Sequence, residues 1–235
     1  MTADWRPAAD LLVAGLRSVF GNRLRSVVAY GPHIEEHGDA PLSCLALVTT
    51  VTVGDLETCA RMSHGWRRER IATPLLLPED EFRRSLDAFP LEYGEILRAH
   101  ELIFGANPFD GITIDRGDLR RACETQIKSH LVHLREGFIE AGGTPRAISE
   151  LLTASAPAFG ALLRNLARLN GSDARDRGAA TRDGARLAQL PDAIVTDILS
   201  LERPAAVSTT DAAKLFPEYL AAVEQLARFI DGWRA

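Results

Sequence analysis

The chain has 235 residues, 46% of them apolar and 25% charged, the balance of an ordinary folded protein with enough length to bury one large or two modest cores. Its net charge of −5 gives no overall pull toward nucleic acid or anionic lipid, although a local basic stripe is compatible with it. The three cysteines, Cys44, Cys59 and Cys123, are odd in number and widely spaced, which excludes a disulfide framework and points to a reducing compartment. The first residues lack the basic start and apolar run of a signal peptide, and no segment is long enough to span a bilayer, so a cytoplasmic protein without a membrane partner is expected.

Residues 10–20 predict a helix, with Leu11, Leu12, Leu16, Val19 and Phe20 on one side and Gly21-Asn22 as its stop. A short strand over 26–30 ends at Gly31-Pro32, a turn pair, and a polar loop with Glu35, Glu36, His37 and Asp39 follows. Residues 42–51 are almost continuously apolar, as expected of a central strand covered on both faces. A helix is expected over 54–70 and a strand over 73–77. The proline-first, acidic start Pro78-Glu79-Asp80-Glu81 opens another helix, and a last strand is expected over 91–97.

The turn-rich segment 105–111 marks a domain boundary, after which the pattern is helical. Residues 118–141 predict a long helix with Leu119, Cys123, Ile127, Leu131, Leu134 and Phe138 on its buried side. The helix over 145–169 is expected to bend or break at Pro157. Residues 172–184, poor in large apolar side chains, are expected to be mobile. Helices over 191–201 and 210–233 complete a bundle, the last presenting Tyr219, Leu220, Val223, Leu226 and Ile230 at helical spacing, with Pro217 near its first turn or kinking it. The expected architecture is an α+β domain over 1–112, a mixed sheet with flanking helices, followed by an α-helical bundle over 113–235.

A helix, a strand ending in Gly31, a polar loop and the apolar strand over 42–51 resemble the start of a minimal nucleotidyltransferase domain of the polymerase-beta type. Phe89-Pro90-Leu91-Glu92-Tyr93, His100, Gly105 and the segment from Leu134 to Gly143 are similar to uncharacterised bacterial proteins grouped with that fold. The resemblance implies a Gly-Ser turn and an Asp-x-Asp pair on the second strand, joined by a third carboxylate, because magnesium on a triphosphate needs carboxylate oxygens on one face. Here Gly31 matches the glycine, Pro32 stands at the serine, and the acid positions fall on Cys44 and Ala46. Every position from 42 to 53 is uncharged, so no shift of register restores the pair.

The expectation is therefore a pseudoenzyme: a noncatalytic protein with a binding or regulatory role, no cofactor, and a nucleotide or protein partner. Its ligand-binding residues would be Gly31, Glu92 and Glu95 with Arg121 and Lys128, in a cleft between the domains. One alternative is an active transferase that holds magnesium and a nucleoside triphosphate through rearranged acids, Asp39, Glu92 and Glu95. Another is a structural subunit or homodimer, with an apolar patch on the last helix.

Other clusters have ordinary explanations. The 35–39 loop reads as a solvated turn, and His64, His100, His130 and His133 show no metal-type pairing. Arg121, Lys128 and Arg135 form a helical stripe interleaved with Glu124 and Glu136, the pattern of a salt-bridged face, so a nucleic-acid partner is not expected. Arg67-Arg68-Glu69-Arg70 and Arg83-Arg84 sit where helix C-termini attract cations.

Overall fold

The computed structural model describes residues 4–31, 40–172, 174, 176–201 and 209–233, which divide into two compact units, residues 1–115 and 116–235. In the first unit, helix α1 (Arg6–Phe20) carries Pro7 in its first turn and buries Ala9, Leu12, Leu16 and Phe20. Gly21 ends it at φ 52°, a conformation that costs a side-chain-bearing residue most. Strand β1 (Leu24–Tyr30) pairs antiparallel with β2 (Ser43–Val48). Helix α2 (Val53–Arg68) then carries the chain to β3 (Leu75–Pro78), parallel to β2.

The start of α2 is tightly determined. Thr52 and Asp55 form a reciprocal capping box, and Asp55, 8% exposed, also accepts from both terminal nitrogens of Arg23 at 2.7 Å. These bonds, above all those from Arg23, hold the Asp55 carboxyl well below the usual carboxylate range.

Helix α3 (Glu79–Arg84), helix α4 (Pro90–Arg98) and strand β4 (His100–Gly105) complete the unit, and β4 lies antiparallel to β1. The sheet order is β3-β2-β1-β4. The strand expected over 91–97 is thus the helix α4, and the strand follows it. Pro90 at the first helical position and Glu92 in the first turn start a helix, whereas the run His100 to Gly105 supplies the strand.

Both faces of the sheet are covered. Val27, Ala29, Cys44, Ala46 and Val48 pack against Leu12, Leu16 and Phe20 of α1 and Cys59 and Trp66 of α2. On the opposite face Val28, Leu45 and Leu47 pack against Phe82, Tyr93, Ile96 and Phe109. Phe82 is the hub there, in edge contact with Tyr93 at 5.0 Å and with Phe109 at 5.5 Å.

The second unit is helical: α5 (Arg116–Glu140), α6 (Pro145–Leu169), α7 (Arg177–Leu187), α8 (Asp192–Ser200) and α9 (Thr209–Gly232). Its core joins Cys123, Ile127 and Leu134 of α5, Phe159, Leu163 and Leu166 of α6, and Tyr219, Val223, Leu226 and Ile230 of α9. The apolar stripe of the last helix is therefore buried in the bundle, while exposed apolar side chains sit on α5 at Val132 and Ile139. Phe138, expected inside, is 38% exposed and stacks on Phe216 with ring centroids 4.0 Å apart. Lys128 to Asp231 and Arg135 to Glu224, each at 2.7 Å, tie α5 to α9.

One expectation is narrowed here, since no break occurs at Pro157, and another changes. Helix α6 continues through Pro157 as one element, with the proline on its exposed side and Ala156, Phe159 and Gly160 buried beside it. The segment expected to be mobile contains α7, capped by Asp176, whose side chain accepts from Ala179 N at 2.6 Å. Its small residues let α7 approach α6 closely: a Cβ on Gly184 would lie 1.9 Å from the Leu163 carbonyl oxygen. Among the described residues no helix is long and apolar enough to cross a membrane.

Candidate functional site

At the end of β1 the chain leaves the sheet through Gly31, whose φ of 85° lies in the left-handed region and explains the glycine. A Cβ there would be 4.0 Å from the Ser43 side chain, so backbone conformation rather than crowding makes the demand. Beside it, the register aligns Ser43 of β2, Tyr30 of β1 and His100 of β4 as direct neighbours. Paired residues share a face, so these three polar side chains form a row across one end of the sheet.

The row is supported differently at each position. His100 Nδ1 donates to the Ile96 carbonyl at 2.9 Å, and its Nε2 lies 3.2 Å from Asn107 Oδ1, which also accepts from Phe109 N. Tyr30 packs on the Phe82 cluster, and burial, then the neighbouring Cys44 and Glu95, push its hydroxyl pKa up, which keeps it protonated. Glu95 is half-buried on α4, and Glu92 is exposed one turn earlier on the same helix.

The structure thus brings Gly31 and Glu95 to the neighbourhood of Tyr30, with Glu92 on the same helix as Glu95 but helical rather than on a strand. Asp39, together with Pro32, Glu35, Glu36 and His37, lies outside the described residues. Arg121 and Lys128 are on α5 in the second unit, where both are engaged in ion pairs. Arg121 bonds Asp118, and Lys128 meets Glu124 at 2.6 Å and Asp231 at 2.7 Å. Of the histidines, His130 bonds Tyr219 Oη at 2.7 Å and His133 bonds Glu136 at 2.9 Å. Among the described residues no group of three His, Cys, Asp or Glu side chains is placed to hold a metal ion.

The two positions that the sequence resemblance aligns with metal-binding acids, Cys44 and Ala46, are 1% and 0% exposed and pack against α1 and α2. Burial pushes the Cys44 thiol up to about 12, so it is an inert packing group rather than a thiolate. Their neighbours Leu45 and Leu47, on the other face, are 1% and 2% exposed. From Cys44 to Val48 neither face of β2 offers an open carboxylate position. The sequence did not show Tyr30, Ser43 and His100 as a row, because their alignment depends on strand register and the strand that begins at His100 was not expected.

No protein-family model matches the sequence, and no curated protein matches it. Among solved structures the chain is similar to the spectinomycin adenyltransferase AAD(9) of Enterococcus faecialis, solved with ATP and spectinomycin. The two share 13% identity at a TM-score of 0.59, over 93% of this chain and 98% of that one. A likeness at this identity is one of architecture, and with the mixed four-stranded sheet, its flanking helices and the helical C-terminal region it shows that the chain has an α+β nucleotidyltransferase-like fold.

Proposed function

We propose that this protein is a noncatalytic member of its fold, with a binding or regulatory role centred on the end of β1. The observation that carries this reading is the burial of β2 from Cys44 to Val48, on both faces, by uncharged side chains. Nucleotidyl transfer needs magnesium bridged to a triphosphate, and magnesium is held by carboxylate oxygens directed into an open site. A carboxylate at Cys44, Leu45, Ala46 or Leu47 would instead sit in a packed apolar cluster, where its charged form is strongly disfavoured.

What this end of the sheet retains is suited to holding a polar ligand: hydroxyls at Tyr30 and Ser43, the carboxylate of Glu95, and the left-handed turn at Gly31. A nucleotide is the first ligand to test, because the fold neighbour was solved with ATP. Calorimetric titration of the full chain with ATP, with and without magnesium, decides between the readings. The proposal expects nucleotide binding to be absent or indifferent to magnesium. Tight magnesium-dependent binding that disappears in Glu92→Gln or Glu95→Gln would overturn it and establish a transferase with rearranged acids.

A further inference from the structure

The outer face of α2 carries a basic row that the fold does not require. Arg61, His64, Gly65 and Arg68 fall at i, i+3, i+4 and i+7, opposite the buried residues Asp55, Cys59 and Trp66, and all four are exposed. Arg67 is exposed beside them, and Arg70 follows the helix. Among the described residues the side chains of His64, Arg67 and Arg68 meet no hydrogen-bond or ion-pair partner, and Arg61 bonds only Thr58 Oγ1, at 2.9 Å, on its own helix. The nearest acids, Glu57 and Glu69, form no ion pair with this row. Placement near a helix C-terminus accounts for Arg67 and Arg68, but not for Arg61.

Gly65 sits in the middle of this row. A glycine inside a helix is unfavourable relative to alanine, and here a Cβ would meet nothing within 4 Å, so packing gives no reason for its absence. The missing side chain leaves helix backbone bare between Arg61 and Arg68, which lets an extended anion approach closely between two guanidinium groups. The charges are arginines, whose planar forks match phosphate oxygens in pairs. The face also lacks the apolar centre that a protein interface is built on, since the exposed Val53 and Leu56 of this helix lie at its other end.

We infer that this face binds the phosphodiester backbone of a nucleic acid, without reading its sequence, despite the net negative charge of the whole chain. The inference rests on residues other than those of the nucleotide-site proposal, and either can fail alone. The test is fluorescence anisotropy of the full chain with a fluorescein-labelled single-stranded RNA of about 20 nucleotides. About three neutralised phosphates predict roughly a tenfold loss of affinity between about 50 and about 150 mM salt. The triple variant Arg61→Gln, Arg67→Gln, Arg68→Gln should bind about tenfold more weakly at the lower salt and show a flatter salt dependence. Gly65→Ala should raise Tm while weakening RNA binding, which separates the face from folding. Unchanged affinity in the triple variant, salt-independent binding, a Gly65→Ala protein that gains Tm and keeps its RNA affinity, or equal competition by polyglutamate would each overturn the inference.

Discussion

His130 shows how a single buried group ties stability to pH. Its ring faces the Tyr219 hydroxyl at 2.7 Å inside the bundle, and burial, assisted by the neighbouring His133, moves its pKa down from 6.5 to about 4. Because the folded value lies below the unfolded one, the neutral ring's contribution is complete above about pH 6.5 and is lost as pH falls toward 4. The full shift corresponds to no more than about 3 kcal/mol. His130→Gln, which cannot titrate, should therefore look most destabilised near neutrality, with its deficit against the native protein shrinking by about 2 kcal/mol near pH 4.5. Urea denaturation of both proteins at the two pH values measures this, and a deficit independent of pH would contradict it. The sequence placed His130 on the flank of its helix without a metal partner. What it could not supply was Tyr219, 89 positions away.

Among the elements, the clearest lesson lies between α6 and α7. The scarcity of large apolar residues in 172–184 reads as an inability to build a core, yet the same scarcity permits close helix packing. Gly184 faces the Leu163 backbone with no room for a methyl group, whereas Gly178 faces only the movable Arg182 side chain and the Asp176 carboxylate, each at 3.3 Å. Gly184→Ala should therefore cost about 1–3 kcal/mol by forcing the helices apart, while Gly178→Ala should be near neutral in the same urea titration. A neutral Gly184→Ala would mean that the two helices are not packed as described. Elsewhere the local signals were plainer. The apolar run over 42–51 and the helix expected over 54–70 form close to where the sequence places them, the first because two-sided burial leaves a strong pattern; the capping pair Thr52 and Asp55 emerges only in the structure. Residues 91–97 carried both a strand's apolar content and a helix's proline-led start, and the second signal was decisive.

For the whole molecule, the α+β nucleotidyltransferase-like fold was legible in the order of helix, strand, glycine turn and apolar strand. The candidate site was legible only in part. Gly31 declared itself by its turn, and the missing acids by their absence from 42–53. The row of Ser43, Tyr30 and His100 was hidden, because strands distant in sequence become neighbours only through the sheet order β3-β2-β1-β4. Cys44 and Ala46, where the resemblance would put carboxylates, are buried in apolar packing, and the proposed noncatalytic role turns on them. Manganese, which takes the same oxygen ligands as magnesium, allows a direct test by electron paramagnetic resonance. Titrated into the full chain without nucleotide, manganese should keep the spectrum of the free ion, and with saturating ATP any change that the protein causes should survive Glu92→Gln. A protein-dependent loss of the free-ion signal, or one with ATP that Glu92→Gln reverses, would show carboxylates holding the metal and would contradict the noncatalytic role.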